Sequence, residues 1–174
     1  MFTELINEIK KLDLIKIEKI IKLIKNASKQ KRTIFFIGNG GSASTASHMA
    51  ADLGKNTRLS PKPKTISLCD NLALITAIAN DIDYTNIFSE QLRQLSQKND
   101  ILFAISGSGN SQNIVKAIKI AKKMGMVTIG FLGFNGGALL KLVDIPILVT
   151  SNNYGVIESA HSAIQHYIIE QLKK

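Results

Sequence analysis

Two kinds of hydrophobic pattern follow one another along the chain. Residues 3–30 repeat apolar side chains every three or four positions with lysines between them, which predicts amphipathic helix. Asp13 is placed to cap a second helical segment after a short break. Beyond residue 30, short apolar runs alternate with helix-type segments. The pattern therefore predicts one domain over 1–174, with an N-terminal helical segment (1–30) and an α/β core (31–174).

The short apolar runs predict the strands of a sheet. They cover residues 33–37, 64–69, 101–105, 126–131 and 145–149. The helix-type segments cover residues 42–53, 71–79, 86–97, 110–124, 136–142 and 155–172. Continuously apolar strands that alternate with helices are typical of a parallel sheet covered on both faces. In such a sheet a ligand is expected beyond the carboxyl ends of the strands.

Two turns rich in glycine and serine follow two of these predicted strands. The first contains Gly38, Asn39, Gly40, Gly41 and Ser42, and the second contains Ser106, Gly107, Ser108, Gly109, Asn110 and Ser111. Glycine lets the backbone approach a ligand, and a helix N-terminus favours an anion such as phosphate. The alternatives are a helix capped by Ser42 without a ligand and a flexible linker. Because both turns join a strand to a helix, we expect one pocket for a phosphorylated, polyhydroxylated molecule.

Histidines and carboxylates recur at helical spacing in two segments. His48 and Asp52 are four residues apart, and Glu158 and His166 are eight apart, so each pair shares a helix face. The four side chains could bind a divalent metal such as Zn²⁺, or act as acid and base on a sugar carbonyl. On spacing alone they are better explained as ordinary helix residues, because many helices carry such pairs. His161 is interpreted as structural or supportive.

Composition and charge exclude several classes of protein. The net charge is +9, but the lysines are scattered and aromatic residues make up 6% of the chain, so a nucleic-acid partner is not expected. The sequence contains neither a membrane-spanning apolar run nor a signal peptide. The single cysteine, Cys69, cannot form an internal disulfide and is interpreted as a small apolar residue. We expect a cytoplasmic protein.

Together these motifs resemble the sugar isomerase (SIS) domains, and specifically the phosphoheptose isomerases. The resemblance covers nearly the whole chain. It rests on residues 38–43, His48, residues 79–81, residues 105–111, Gly136-Gly137 and His166. It implies a doubly wound, five-stranded parallel sheet of the flavodoxin-like type. It also implies a homotetramer with active sites at subunit interfaces, partly built from the N-terminal helices.

The resemblance also implies roles for individual residues. Substrate contacts would come from Asn39, Gly40, Gly41, Asn80 and Asp81, and phosphate contacts from Ser106, Gly107, Ser108 and Ser111. On spacing alone, Asn80-Asp81 is equally explained as a helix end and turn. Zn²⁺ would be bound by His48, Asp52, Glu158 and His166, with Asp52 and His166 transferring protons. Ser42, Asp52 and Glu158 are also expected to contact the substrate.

Three positions depart from the family pattern. Asp52 stands where the family has Glu, Glu158 where it has Gln, and Asn56, with Lys55 adjacent, where it has a basic residue. The main hypothesis is an enediol isomerase that converts sedoheptulose 7-phosphate to D-glycero-D-manno-heptose 7-phosphate for surface polysaccharide such as lipopolysaccharide or capsule. The alternatives are an isomerase of another sugar phosphate and a non-enzymatic SIS protein that binds the replication initiator. A sugar-phosphate-sensing regulatory domain is disfavoured, because such domains usually come attached to another domain.

Overall fold

The computed structural model describes residues 1–174, and its centre is a five-stranded parallel sheet in the order β2-β1-β3-β4-β5. The strands are β1 (Thr33–Gly38), β2 (Lys64–Ser67), β3 (Ile101–Ser106), β4 (Val127–Gly133) and β5 (Ile145–Val149). All five predicted strands are present, and the parallel sheet is confirmed. The side chains of β1, β3 and β4 are mostly apolar because these three central strands are buried on both faces.

Eight α-helices surround the sheet. They are α1 (Phe2–Lys10), α2 (Leu14–Lys29), α3 (Gly41–Asn56), α4 (Leu72–Asp81), α5 (Ser89–Leu95), α6 (Gln112–Lys123), α7 (Leu139–Leu142) and α8 (Tyr154–Lys173). A short 3₁₀ helix occupies Tyr84–Asn86. The predicted break at Asp13 is confirmed, because its carboxylate accepts a hydrogen bond from the Lys16 amide and caps α2.

Two predicted helices are wrong in extent. The segment 86–97 contains the end of the 3₁₀ helix and then α5, which begins at Ser89 and ends at Leu95. The segment 136–142 is helical only from Leu139, because Gly136 and Gly137 have φ values of 81° and 52° that a right-handed helix does not allow. The alternative in which Ser42 caps this helix is not what the structure has. Gly40 is the N-cap of α3, and Ser42 lies in its first turn.

Two apolar layers hold the helices against the sheet. On one face, Ile34 and Phe36 of β1 pack in a cluster with α2, α3 and α8. On the other face, Phe35 and Ile37 pack with α4, α5, α6 and α7. This alternation along β1 is the two-residue period of a strand, and it confirms helices on both faces. No helix is long and apolar enough to cross a membrane.

The strand order reverses next to β1, and this reversal locates a crevice. The chain runs from β1 to β2 on one side and then to β3 on the other side of β1. Connections that leave in opposite directions open a gap at the carboxyl ends of the central strands, where open α/β sheets bind ligands. The two glycine-rich turns follow β1 and β3, so both lie at this gap.

The N-terminal helix α1 is attached to the loop before α8 by two carboxylates, of Glu8 and Glu4. Glu8, which is buried, accepts hydrogen bonds of 2.9 Å from both the amide and the hydroxyl of Thr150. Glu4 accepts one from the Ser151 hydroxyl. The hydrogen bond from the Lys11 ammonium, together with those from Thr150, lowers the pKa of Glu8. These contacts hold α1 beside the start of α8.

His161 lies in the core, and it predicts a loss of stability in acid. Its Nε2 is 3.2 Å from the Leu132 carbonyl oxygen, and burial lowers its pKa from 6.5 to about 4. Between these two values the unfolded chain binds a proton that the folded protein excludes, so the free energy of unfolding falls as the pH drops through this window. The maximum loss is about 3 kcal/mol. Urea unfolding at pH 7.5 and pH 4.5 measures it.

A His161→Gln variant provides the comparison for this prediction. Glutamine keeps an N–H donor but does not titrate, so the difference between the two pH values should shrink, whatever the substitution costs at neutral pH. An equal acid dependence in the variant and the parent would show that other groups cause it.

Candidate active site

A polar pocket lies at the carboxyl ends of β1 and β3. Its lining consists of Asn39, Ser42, Ile105, Ser106, Gly107, Ser108, Ser111, Tyr154 and Glu158. Six of these residues were predicted as ligand contacts from sequence: Asn39, Ser42, Ser106, Gly107, Ser108 and Ser111. Glu158 was also predicted to contact the substrate. The turns after β1 and β3 therefore form one pocket with the start of α8.

Hydrogen bonds inside the second turn direct its hydroxyl groups. The Ser106 Oγ accepts a hydrogen bond from the Gly109 amide at 3.1 Å, and the Ser108 Oγ accepts one from the Asn110 amide at 3.2 Å. A hydroxyl that accepts from the backbone still has its own proton to donate. Ser111 is the N-cap residue of α6, and its side chain makes no capping bond. The arrangement presents three hydroxyl groups beside the N-terminus of α6, which favours an anion.

The three serines Ser106, Ser108 and Ser111 form what is called the serine cradle below. The segment from Gly133 to Leu139 supports the loop that carries it. The Asn110 side-chain oxygen accepts a hydrogen bond from the Ala138 amide at 2.9 Å. The carbonyl oxygens of Gly107 and Gly109 accept from the amides of Gly133 and Leu139. Asn110 and the two backbone carbonyls therefore hold the loop in shape.

Asn39 is fixed by a second asparagine that the sequence analysis did not identify. The amides of Asn39 and Asn113 exchange two hydrogen bonds, of 3.0 Å and 2.8 Å. Tyr84 adds a third contact, because its hydroxyl donates to the Asn39 Oδ1 at 3.1 Å. Asn113 is buried in the first turn of α6. It therefore links the two glycine-rich turns.

Replacing Asn113 with alanine is expected to weaken both substrate binding and the fold. The variant removes both hydrogen bonds to Asn39 and a third from the Ile114 amide, and it leaves Tyr84 as the remaining partner of the Asn39 side chain. We therefore expect a KM several-fold higher and a loss of roughly 1–3 kcal/mol in unfolding free energy. Steady-state kinetics and urea unfolding measure the two effects. Tyr84→Phe is the matched comparison, since it removes only the exposed hydrogen bond to Asn39 and should have a smaller effect. A larger effect for Tyr84→Phe would contradict this account.

Three predicted metal ligands come together on α3 and α8. The ligand atoms of His48, Asp52 and His166 lie within 4.8 Å of one another. The Asp52 Oδ2 is 3.3 Å from the His48 Nε2 and 3.9 Å from the His166 Nδ1. The two imidazole rings meet edge to face with centroids 5.1 Å apart. Two imidazole nitrogens and a carboxylate are a donor set that divalent transition metals accept, with further positions open.

Glu158, the fourth predicted ligand, is not part of this cluster. It lines the polar pocket, where a side chain added at Gly41 would place its Cβ 2.7 Å from the Glu158 Oε1. Because Gly41 has no side chain, the Glu158 carboxylate fits against the start of α3. Glu158 is the only charged residue of the pocket lining.

Five predicted substrate contacts lie outside the pocket lining: Gly40, Gly41, Asp52, Asn80 and Asp81. Asn80 and Asp81 end α4, and the Asn80 amide donates a hydrogen bond to the Asp81 carboxylate at 2.9 Å. Gly40 is exposed and has a φ of 54°. None of these residues lines the pocket.

Tyr154 is a second pocket residue that the sequence analysis missed. It begins α8, and its ring packs edge to face on Phe134 with centroids 4.9 Å apart. A Cβ at Gly107 would lie 2.9 Å from the Tyr154 ring, so the absence of a side chain there lets the ring close the pocket. A lone aromatic residue at a predicted helix start carried no pattern that could have identified it.

Comparisons with known proteins place these features in a family. Residues 1–133 match the family model described as the SIS domain. A phosphoheptose isomerase of Clostridium acetobutylicum is 38% identical over 159 residues, which cover 91% of this chain and 81% of the relative.

Solved structures give the same result. A phosphoheptose isomerase from Francisella tularensis superposes with a TM-score of 0.91 at 28% identity, covering 99% of this chain and 92% of that one. The phosphoheptose isomerase of Neisseria gonorrhoeae superposes with a TM-score of 0.89 at 28% identity, covering 98% and 94%.

Proposed function

The chain belongs to the SIS domain family and to its phosphoheptose isomerase branch, and we propose that it interconverts sedoheptulose 7-phosphate and D-glycero-D-manno-heptose 7-phosphate. The observation that carries the proposal is the pairing of a hydroxyl-lined pocket with the cluster of His48, Asp52 and His166. Both include residues of α3 and α8. His48 follows Ser42 by six residues, which is about 9 Å along a helix axis. This separation is of the order of the length of an extended heptose phosphate.

In the proposed reaction, the serine cradle holds the phosphate and the cluster acts at the other end of the sugar. Ser106, Ser108 and Ser111 donate hydrogen bonds to the phosphate oxygens. A base removes a proton from C1 of the ketose while the C2 oxygen gains one, which gives an enediol. A proton returned to C2, with loss of the C1 hydroxyl proton, gives the aldose. We assign these transfers to Asp52 and His166, which are suited to general acid–base catalysis.

The proposal includes Zn²⁺ at the cluster. His48, Asp52 and His166 would bind it, because imidazole nitrogens and carboxylate oxygens are its usual ligands. When bound, the metal would polarise the carbonyl as a Lewis acid. Glu158 would join this set only after its side chain turned away from Gly41, so we assign it first to contact with the sugar hydroxyls.

The proposed assembly is a homotetramer of 174-residue SIS domains with active sites at subunit interfaces. Apolar side chains on the N-terminal helices support it, since Phe2, Ile6, Leu14 and Ile15 are all more than half exposed. Asn80 and Asp81, which end α4, would then contact substrate in the assembled enzyme. We further propose a cytoplasmic location, where the product would enter heptose synthesis for surface polysaccharide.

Turnover of sedoheptulose 7-phosphate by the purified protein, with and without added Zn²⁺, tests this function. Metal-dependent formation of the aldose is the expected result. If the folded, metal-loaded protein leaves the heptose unchanged, the assignment is wrong. Other sugar phosphates would then be assayed, together with binding to the replication initiator.

A further inference from the structure

The two oxygens of the Asp52 carboxylate have different partners. The Oδ2 faces both imidazoles of the cluster. The Oδ1 accepts a hydrogen bond of 2.8 Å from the Asn56 side-chain amide, one helical turn further along α3. The Asp52 side chain is only 15% exposed, whereas Asn56 is exposed. One oxygen is therefore already engaged, and the other is the one that the cluster can use.

The end of the helix that carries Asn56 is held firmly. The Thr57 hydroxyl, which is buried, donates to the Leu53 carbonyl at 3.1 Å. The Arg58 amide donates to the Leu172 carbonyl at 3.1 Å and ties this end of α3 to α8. The Lys62 ammonium donates to the carbonyls of Lys55 and Thr57. Asn56 thus extends from a fixed backbone, so its amide can orient a neighbouring side chain.

We propose that Asn56 is a positioning residue that makes Asp52 present a single oxygen, Oδ2, to the metal and to the reacting sugar. The inference rests on the proposed function for its catalytic part and on the His48–Asp52–His166 cluster for its metal part. Asn56 itself touches neither the metal nor the substrate in this assignment.

The physical reason is the freedom of the carboxylate. Rotation about the last torsion of aspartate is broad and nearly two-fold, so an unrestrained carboxylate exchanges its oxygens. The hydrogen bond from Asn56 selects one orientation. Aspartate is also one methylene shorter than glutamate, and a misplacement of about 1 Å can cost roughly 10²-fold in rate. Outer hydrogen-bond partners of metal ligands typically contribute 10–100-fold in metal affinity or activity.

Calorimetric titration of the metal-free protein with Zn²⁺, without substrate, tests the metal part. We expect Asn56→Ala to bind Zn²⁺ about 10–100-fold more weakly than the parent. Asn56→Gln keeps an amide donor and should recover part of the affinity. Asn26→Ala is the matched control, because Asn26 is also an exposed asparagine in the last turn of a helix, α2, and its side chain makes no hydrogen bond.

Kinetics with sedoheptulose 7-phosphate test the catalytic part. Asn56→Ala should lower kcat and leave KM nearly unchanged, because the serine cradle lies away from Asn56 and stays intact. Equal Zn²⁺ affinity in Asn56→Ala and the parent, or absence of Zn²⁺ binding by the parent, would overturn the proposal. A parent that binds Zn²⁺ but does not isomerise the heptose would refute the proposed function alone, and the titration would still decide the role of Asn56.

Discussion

Asp52→Asn is expected to lower kcat for sedoheptulose 7-phosphate by about 10²–10⁴-fold, which is the usual contribution of a positioned acid or base. The amide has nearly the same shape as the carboxylate, so the cluster should keep its packing while losing a proton acceptor and a negative charge. His166→Ala should have a comparable effect, because it removes the imidazole whose Nδ1 is 3.9 Å from the Asp52 Oδ2. A coupled assay of aldose formation at saturating Zn²⁺ measures both losses.

Asp13→Asn is the matched control for the first variant. It makes the same chemical change at the N-cap of α2, where asparagine caps about as well as aspartate. Its kcat should equal that of the parent. If Asp52→Asn retains more than about a tenth of the parental kcat, Asp52 does not transfer the proton, and the assignment of general acid–base roles to this cluster fails.

Gly109→Ala is expected to abolish activity and to destabilise the fold by roughly 3 kcal/mol or more. Gly109 has a φ of 64°, and a Cβ at this position would lie 2.0 Å from the Gly136 carbonyl oxygen. Because that oxygen belongs to the backbone, no side chain can move aside to relieve the clash. The turn would have to shift, and the hydrogen bond from the Gly109 amide to the Ser106 Oγ would be lost. Thermal unfolding and the rate of aldose formation measure the result.

Gly40→Ala separates the effect of a positive φ from the effect of the steric clash. Gly40 has a similar φ of 54°, but a Cβ there would meet no atom within 4 Å. This variant should lose about 1–3 kcal/mol, which is the cost of a sparsely populated backbone conformation with positive φ for a residue with a side chain. Similar losses of stability in Gly109→Ala and Gly40→Ala would show that backbone conformation, and not the clash with the Gly136 carbonyl, causes the destabilisation.

The fold was largely predictable because its strands are buried on both faces. The predicted run 101–105 matches β3 to within one residue, since a central parallel strand is buried on both faces and its sequence is a nearly continuous apolar run. The segment 86–97 was predicted wrongly because its apolar spacing continues through two separate helices. Asp83 caps the first of them with a hydrogen bond to the Thr85 amide, and that cap was not recognised in the sequence.

The pocket residues that are adjacent in sequence could be predicted from the sequence. The residues that meet only through long-range contacts could not. Glycine and serine residues adjacent in sequence identified both halves of the pocket. The pairing of Asn39 with Asn113 could not be found, because a helical asparagine looks the same whether it is exposed or buried against a distant loop. The position of Glu158 depends on how α8 packs against the start of α3. Helical spacing does not determine that packing.

The pocket that contains the serine cradle has a consequence for how substrate binding responds to ionic strength. Its lining contains no lysine or arginine, and its one charged residue is the acidic Glu158. Binding that depends on directed hydroxyl groups and a helix end acts over short distances, where dissolved ions screen poorly. The affinity for substrate should therefore change little as salt is added. The exposed lysines would attract substrate at long range, so concentrated salt would slow capture and release alike and leave their ratio nearly unchanged.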